Sequence, residues 1–586
     1  MPGLTSVIRS VFDPVFDELQ PGTTSNLRPS LHADFQVDGA LAVARALGRP
    51  PREVAEEVLG RARAMGLGDL CERAEIAGPG FINLTLSAEL LARQLREMAR
   101  DVDSLGIVPA EQPLKVVVDY AGPNAAKQMH VGHLRSTIIG DAVVRLLEVA
   151  GHSVVRENHV GDWGAPFGML IERLTELGDV AAERELATGD LDAFYQGARA
   201  AYDTDPAFAE RARARVVLLQ SGDPATLRLW RLLVERSLVH FNDVFQRLGT
   251  KLTRDDVVGE SYYNPMLPGL VAELARAGIL VESDGAQCVF LPGQTNREGD
   301  PLPLIVQNSV GGYTYAATDL AAIKDRTGRL GAQLLVYVVG RPQAQHFEMV
   351  FAAARLAGWL PEDARAVHVG FGNVLGPDGK MFRTRQGGTV KLVQLLDEAV
   401  DRARALVLAR SEEEGQPIDR DLEAIAHAVG TGAVKYSDLC TDRVRDYRFD
   451  WDRMLSLDGN TAPYMQYAHA RTRSILRRSG LAGGPRAAVD AALVAQPEAP
   501  EERELAKLLL GFGDAVAASL ESYSPHKLCA YLFALAGAFT SFYEHCPVLR
   551  ASTPETRSSR LVLCALTSCV LEKGLGLLGI EAPERM

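Results

Sequence analysis

Residues 119–164 read DYAGPNAAKQMHVGHLRSTIIGDAVVRLLEVAGHSVVRENHVGDWG. Overlapping their start, KVVVDYA at 115–121 is a short apolar β-branched run, the pattern of a buried strand. After the loop GPNAAKQMH, Leu134, Ile138, Ala142, Leu146 and Ala150 recur every four residues, which predicts an amphipathic helix. HSVVRENHV at 152–160 then reads as the next strand. Strand, glycine-containing turn, helix, strand is the opening of a doubly wound, Rossmann-like nucleotide-binding domain. The pattern returns at LLVYVV, 334–339, and at AVHVGFG, 366–372. Between the two halves, roughly 165–250 is charged and helical in period, which predicts an insertion.

The predicted helix opens on His130-Val131-Gly132-His133. Backbone N–H groups at a helix start lack intrahelical partners and carry partial positive charge, so they suit an anionic phosphate. Histidines at i and i+3 share a face of that first turn and can donate to one group. Gly132 leaves room for a flat base to come close. Taken alone, two histidines and a glycine are a weak pattern, and helix capping with packing is their first reading.

The flanks divide into two further units. Residues 1–108 mix helical stretches, such as PREVAEEVLGRARAMG with Pro51 in its first turn, with FINLTLS, which alternates at period two. A helix is expected from about Glu89 to Arg100, and the whole reads as an α+β domain. Residues 109–392 form the α/β catalytic unit. From 393 to 586 the period is almost wholly helical, as in LVQLLDEAVDRARALVLAR and YLFALAGAFTSFYEHC, which predicts an all-helical bundle. Three units agree with a length of 586 residues at roughly 100–200 per domain.

Composition narrows the class. The chain is 47% hydrophobic and 23% charged, as in ordinary globular proteins. Its 62 Lys and Arg against 75 Asp and Glu leave a net charge of −13, the wrong sign for a non-specific nucleic-acid coat. A local basic face remains compatible with that sum. No apolar run reaches the ~18–20 residues of a membrane span. Asp13 and Asp17 make the N-terminal stretch unlike a secretory signal. The seven cysteines are scattered with no CxxC pair, so no disulfide framework or zinc site is expected, and a reduced cytoplasmic setting is.

PNAAKQMHVGHLRSTIIGD and NHVGDWG together resemble the signature region of class I aminoacyl-tRNA synthetases, and their flanks resemble the arginyl family. The likeness continues through VVGESYYNPMLPG, GGYTYAATDLAA, GRPQAQHF, GKMFRTRQGGTVKL, FDWDRMLSLDGNTAPYMQYAHARTRSIL and the closing LLGIEAPERM, over nearly the whole chain. GKMFRTR stands where the second class I signature, KMSKS, belongs. The stretch between His133 and Lys380 is too short for the large editing insertion of the valine, isoleucine and leucine members.

The resemblance implies arginine–tRNA ligation: ATP and L-arginine give arginyl-adenylate and pyrophosphate, and arginine then passes to the terminal adenosine of tRNA(Arg). ATP is a substrate, Mg²⁺ is expected to accompany it, and no zinc is. The implied catalytic and ATP-binding residues are His130, Gly132, His133, Lys127, Lys380, Met381 and Arg383. Arg383 replaces the usual second lysine and Phe382 the first serine of KMSKS. Lys127, just before the first signature, is placed to compensate. A guanidinium has five donors in a rigid fork, so its pocket should offer carboxylates. The family's pattern points to Glu260 and Asp319, with Asn124, Tyr315 and Gln343 beside them. For the anticodon loop it points to Tyr464, Tyr467, Arg471, Tyr543 and the terminal Met586 in the helical unit, an anticodon-binding bundle. Phe81 and Asn83 would hold a D-loop base. Rings interleaved with arginines suit splayed single-stranded bases. Each of these residues also has a plain structural reading, as cap, core or solvated side chain.

No membrane partner is expected, and a monomer is. Two alternatives stay open on sequence: a small-molecule nucleotidyltransferase of the HxGH fold, and a tRNA-binding paralogue without activity, for which the altered second signature speaks.

Overall fold

The computed structural model describes residues 3–586 except 179–180, 183, 185–190, 297, 377, 381, 383–389, 415–420 and 481–483. It divides into two compact units, one of 110–454 with 578–580, the other of 1–109 with 455–577 and 581–586.

The first unit is built on four parallel strands, ordered Arg365–His368, Leu334–Tyr337, Lys115–Asp119, Ser153–Glu157. Val116, Val117 and Val118 are essentially buried, as are Leu335 and Val336, because helices cover the sheet. The helix Val131–Val149 follows the first strand, and its Ser136 ties the sheet ends together. The Ser136 hydroxyl accepts from the Ala121 N–H at 2.9 Å and donates to the Val338 carbonyl at 2.6 Å. Residues 165–250 carry the helices Ala165–Leu177, Leu191–Thr204, Pro206–Ser221 and Pro224–Arg247.

A three-stranded antiparallel sheet, Leu280–Ser283, Ala286–Thr295 and Pro301–Gln307, precedes the helix Tyr315–Gly328. Its first turn is Asp284-Gly285, both at positive φ (50° and 75°), a two-residue hairpin turn.

The expected division at 392/393 is not where the packing divides. The helices Leu392–Glu414 and Leu422–Leu439 belong to the unit of the parallel sheet and pack on Val131–Val149. A buried ion pair fixes this arrangement: Arg135 Nε meets Asp438 Oδ1 at 3.1 Å, both side chains excluded from water. Helical period is the same on both sides of 392, so periodicity could not mark the change of partner.

In the second unit, the strands Leu27–Pro29, Phe35–Val37, Phe81–Leu86 and Cys71–Ala77 form an antiparallel sheet in that order. Ile82, Leu84 and Leu86 are buried, while Phe81 and Asn83 alternate onto the opposite face. Residues 1–108 and the last helices, expected as separate domains, share this unit. The helix Pro500–Leu510 packs on Ala88–Arg100, Arg503 Nη2 donates to the Leu86 carbonyl at 2.7 Å, and Lys507 Nζ pairs with Asp34 at 2.7 Å.

Candidate active site

A cavity of about 360 Å³ opens at the C-terminal ends of the parallel strands, where open α/β sheets bind ligands. Asn124, Gly132, His133, Glu260, Tyr315, Asp319 and Gln343 all line it. Lys127, His130 and Lys380 are not among its lining residues. Met381 and Arg383 lie outside the described residues.

The two histidines are joined by a reciprocal cap. His130 is the N-cap of Val131–Val149, and its Nδ1 accepts from the Gly132 N–H at 3.1 Å. The His130 N–H in turn donates to Nδ1 of His133 at 3.1 Å, and the rings lie 4.1 Å apart. Both Nδ1 atoms are acceptors, so each neutral ring carries its proton on Nε2. Burial lowers His130, and burial with His130 alongside lowers His133 to about 3. Both are therefore neutral Nε2–H donors at physiological pH.

This geometry corrects the expectation of free backbone donors at the helix start. The Val131 N–H donates to the Val390 carbonyl at 3.0 Å, and the His133 N–H to the His130 carbonyl at 2.8 Å. With the His130 and Gly132 N–H groups taken by imidazoles, an anion here meets side chains and the helix dipole instead. The role of Gly132 also changes. A Cβ there would sit 2.8 Å from His130 Cε1, so glycine makes room for the capping ring rather than only for a base.

Lys127 lies with its ammonium 4.3 Å from the centre of the Tyr195 ring, a cation–π contact with the inserted helices. Lys380 ends a turn in which the Gly376 N–H donates to its carbonyl at 2.7 Å. Phe382, in place of the usual serine, stacks on Phe449 at 4.6 Å. That residue is thus a packing anchor for the start of the second signature.

The opposite side of the cavity is acidic. Burial, with Asp162 and Asp319 nearby, raises Glu260 to about 7. Asp162 accepts from the Ser261 N–H at 2.8 Å and the Ser261 hydroxyl at 2.6 Å, fixing the short helix Glu260–Tyr263. A Cβ on Gly259 would fall 2.3 Å from Asp162, so only glycine allows that approach.

Asp319 stands one turn after Tyr315 on Tyr315–Gly328. Its Oδ2 lies 2.6 Å from His346 Nε2, and the His346 ring meets the Tyr315 ring edge-on at 5.0 Å. The same helix is anchored by Arg326, fully buried, which meets Glu157 at 2.6 Å and Asp119 at 2.8 Å on two strand ends. Gln343 closes the turn Arg341–Gln343 after the strand Leu334–Tyr337 and is exposed. Sequence reasoning missed His346, Asp162 and Arg326. His346 stood inside GRPQAQHF, three residues after Gln343, which was the available signal.

Among the described residues, no cluster of three His, Cys, Asp or Glu could hold a metal ion.

In the second unit, Tyr467, Arg471 and Tyr543 form one cluster. Arg471 lies 4.7 Å from the Tyr467 ring and 5.2 Å from the Tyr543 ring, and donates to the Tyr467 hydroxyl at 2.9 Å. Tyr464 stands to one side, edge-on to Phe533. The chain end runs along the same helix, Ala462–Ser479: Gln466 donates to the Glu581 carbonyl at 2.8 Å, and His469 Nδ1 lies 3.1 Å from the Pro583 carbonyl. Met586 follows, half-buried. Phe81 lies 5.8 Å from the Arg28 guanidinium, and Asn83 accepts from Ser30 at 3.3 Å.

A parallel-sheet domain with HxGH at its first helix, a lysine turn after its last strand and a following helical bundle defines a class I aminoacyl-tRNA synthetase. Residues 101–451 match the family "tRNA synthetases class I (R), catalytic domain", 465–586 the "DALR anticodon binding domain" and 4–86 the "Arginyl tRNA synthetase N terminal domain". The arginine–tRNA ligase of Thermobifida fusca (strain YX) is 50% identical, over 99% of this chain and 98% of that one. That of Cronobacter sakazakii (strain ATCC BAA-894) is 48% identical over 94% of each. Among solved structures, the arginyl-tRNA synthetase of Plasmodium falciparum superposes with a TM-score of 0.83 at 28% identity, covering all of both chains. That of Thermus thermophilus gives 0.80 at 27%, covering 99% of each. The chain belongs to the arginyl-tRNA synthetases. Class I synthetases take ATP as a substrate. No helix of the described residues is long and apolar enough to cross a membrane.

Proposed function

We propose that this cleft carries both half-reactions of arginine–tRNA ligation, with the roles divided between its two sides. Glu260 and Asp319 pair with the guanidinium, and Tyr315 and Gln343 bound it. Asn124 stands at the amino-acid end. His130 and His133, through Nε2–H, hydrogen-bond the triphosphate, and Lys127 and Lys380 neutralise its charge. The arginine carboxylate attacks the α-phosphorus, and pyrophosphate leaves in line. The 2′-hydroxyl of the terminal adenosine then attacks the adenylate's carbonyl carbon and AMP departs. No protein nucleophile is needed, since positioning and charge stabilisation carry such transfers. Mg²⁺, brought on the triphosphate, supplies further neutralisation when bound.

One observation carries this reading: Glu260, Asp319 and His133 line a single cavity at the strand ends. The Tyr467–Arg471–Tyr543 cluster is assigned to anticodon bases with Tyr464 and Met586, and Phe81 and Asn83 to the D-loop. A monomer is the working form proposed here. A cytoplasmic location, where its tRNA would be charged for protein synthesis, is part of the same proposal. Charging of tRNA(Arg) with labelled arginine tests the reading. ATP- and arginine-dependent charging is the expected result, and no charging at saturating substrates would refute it.

A further inference from the structure

Residues 443–449, RVRDYRF, touch several of the elements that surround the site. Arg443 Nη1 donates to the Gly370 carbonyl at 2.6 Å. Arg341, in the Gln343 turn, donates to the Val444 carbonyl at 2.9 Å. Arg135, two residues after His133, donates to the Arg445 carbonyl at 2.9 Å. Asp446 Oδ1 accepts from the Asn373 N–H at 2.7 Å. Tyr447–Arg448 then pairs in parallel with Val374–Leu375, the strand that leads into the Lys380 turn. Phe449 closes the run beneath Phe382.

The entrance to the second signature is therefore not held by the parallel sheet itself. It is held by this strap, and the strap is held by Arg135 on the first signature's helix. The exit is pinned separately, through Val131 and Val390 at 3.0 Å. Main-chain bonds also join strap and entrance, from the Gly372 N–H to the Arg443 carbonyl at 3.0 Å and from the Tyr447 N–H to the Asn373 carbonyl at 2.9 Å. The side chain of Asp446, which is solvent-exposed and adds little to the core, contributes the bond to the Asn373 N–H.

We propose that Asp446 is a positioning residue for ATP: it sets where the Lys380 turn stands relative to His130 and His133. It touches no substrate. The inference rests on the assignment of Lys380 to the triphosphate. What Asp446 supplies is one acceptor oxygen, so its charge is dispensable and its carbonyl-type oxygen is not.

The test compares Asp446→Ala with Asp446→Asn in the full-length enzyme. Arginine-dependent pyrophosphate exchange is followed with and without tRNA(Arg), together with amide hydrogen exchange at Asn373. Asp446→Ala should lower kcat by about tenfold to 10²-fold, the scale of small misplacements. It should raise KM for ATP, leave KM for arginine unchanged and speed amide exchange at Asn373. Asp446→Asn should restore the three that change. A general loss of packing would not split the two KM values or be rescued by asparagine. Unchanged ATP parameters in Asp446→Ala, an equal rise in both KM values, or an asparagine variant as impaired as alanine would overturn the proposal. If the wild-type enzyme shows no exchange either with or without tRNA(Arg), the functional reading fails on its own, and Asn373 protection still decides whether Asp446 holds the strap.

Discussion

The His130 N–H donates to Nδ1 of His133 at 3.1 Å, and that bond fixes which nitrogen of His133 faces the cavity with a proton. An accepting Nδ1 leaves the hydrogen on Nε2. With His133 lowered to about 3, its ring stays neutral through the physiological range. The kcat of pyrophosphate exchange should then show no titration of His133 near 6.5. His133→Ala should cost about 10²–10³ in kcat, as removal of one preorganised donor does. A pH–rate profile of the two enzymes checks both statements.

Glu260 behaves in the opposite sense. Burial and the neighbouring acids raise it to about 7, so the free enzyme holds it mostly protonated at pH 6 and mostly ionised at pH 8. The guanidinium is charged throughout and pairs with the ionised form, so arginine binding strengthens as pH rises. KM for arginine should rise about tenfold from pH 8 to pH 6, one tenfold change per unit below the pKa. Glu260→Gln should remove that dependence and leave a weak, flat KM.

The parallel sheet was legible because four apolar runs and one amphipathic helix state it locally. The acidic pocket was legible only in part. Glu260, Tyr315 and Asp319 came through the resemblance, whereas His346, Asp162 and Arg326 act through partners far away in the chain. Asp162 binds Ser261 and Arg326 binds Asp119, pairings no local period reports. The hairpin at Asp284-Gly285 carried a readable turn signal that went unused. The helix start was misread for a physical reason: its donors are satisfied by side chains and by Val390, contacts that exist only after folding.

Arg135 and Asp438 are both excluded from water, and Asp438 has no other hydrogen-bond partner for its second oxygen among the described residues. Removing the cation strands a buried carboxylate. Arg135→Leu should lower unfolding free energy by about 3–5 kcal/mol, read by urea denaturation. An equally stable variant would show that the pair is replaceable.

Tyr467 is half-buried, with Arg471 across its ring. If the ring stacks on an anticodon base, Tyr467→Ala should weaken tRNA binding by about 1–3 kcal/mol. Tyr467→Phe keeps the ring and loses only the hydroxyl that Arg471 reaches, so it should weaken binding less. Filter binding of tRNA(Arg) to the three proteins distinguishes a stacking ring from a packing one.

The central claim is that a carboxylate-lined cleft selects a cationic side chain for adenylation. Citrulline has nearly the shape of arginine but no charge. The most direct measurement is pyrophosphate exchange with arginine and with citrulline, each with and without tRNA(Arg). The account predicts exchange with arginine and a kcat/KM for citrulline lower by about 10⁴-fold, the scale on which polar sites reject analogues that leave them unpaired. Comparable exchange with both, or none with arginine under either condition, would contradict it.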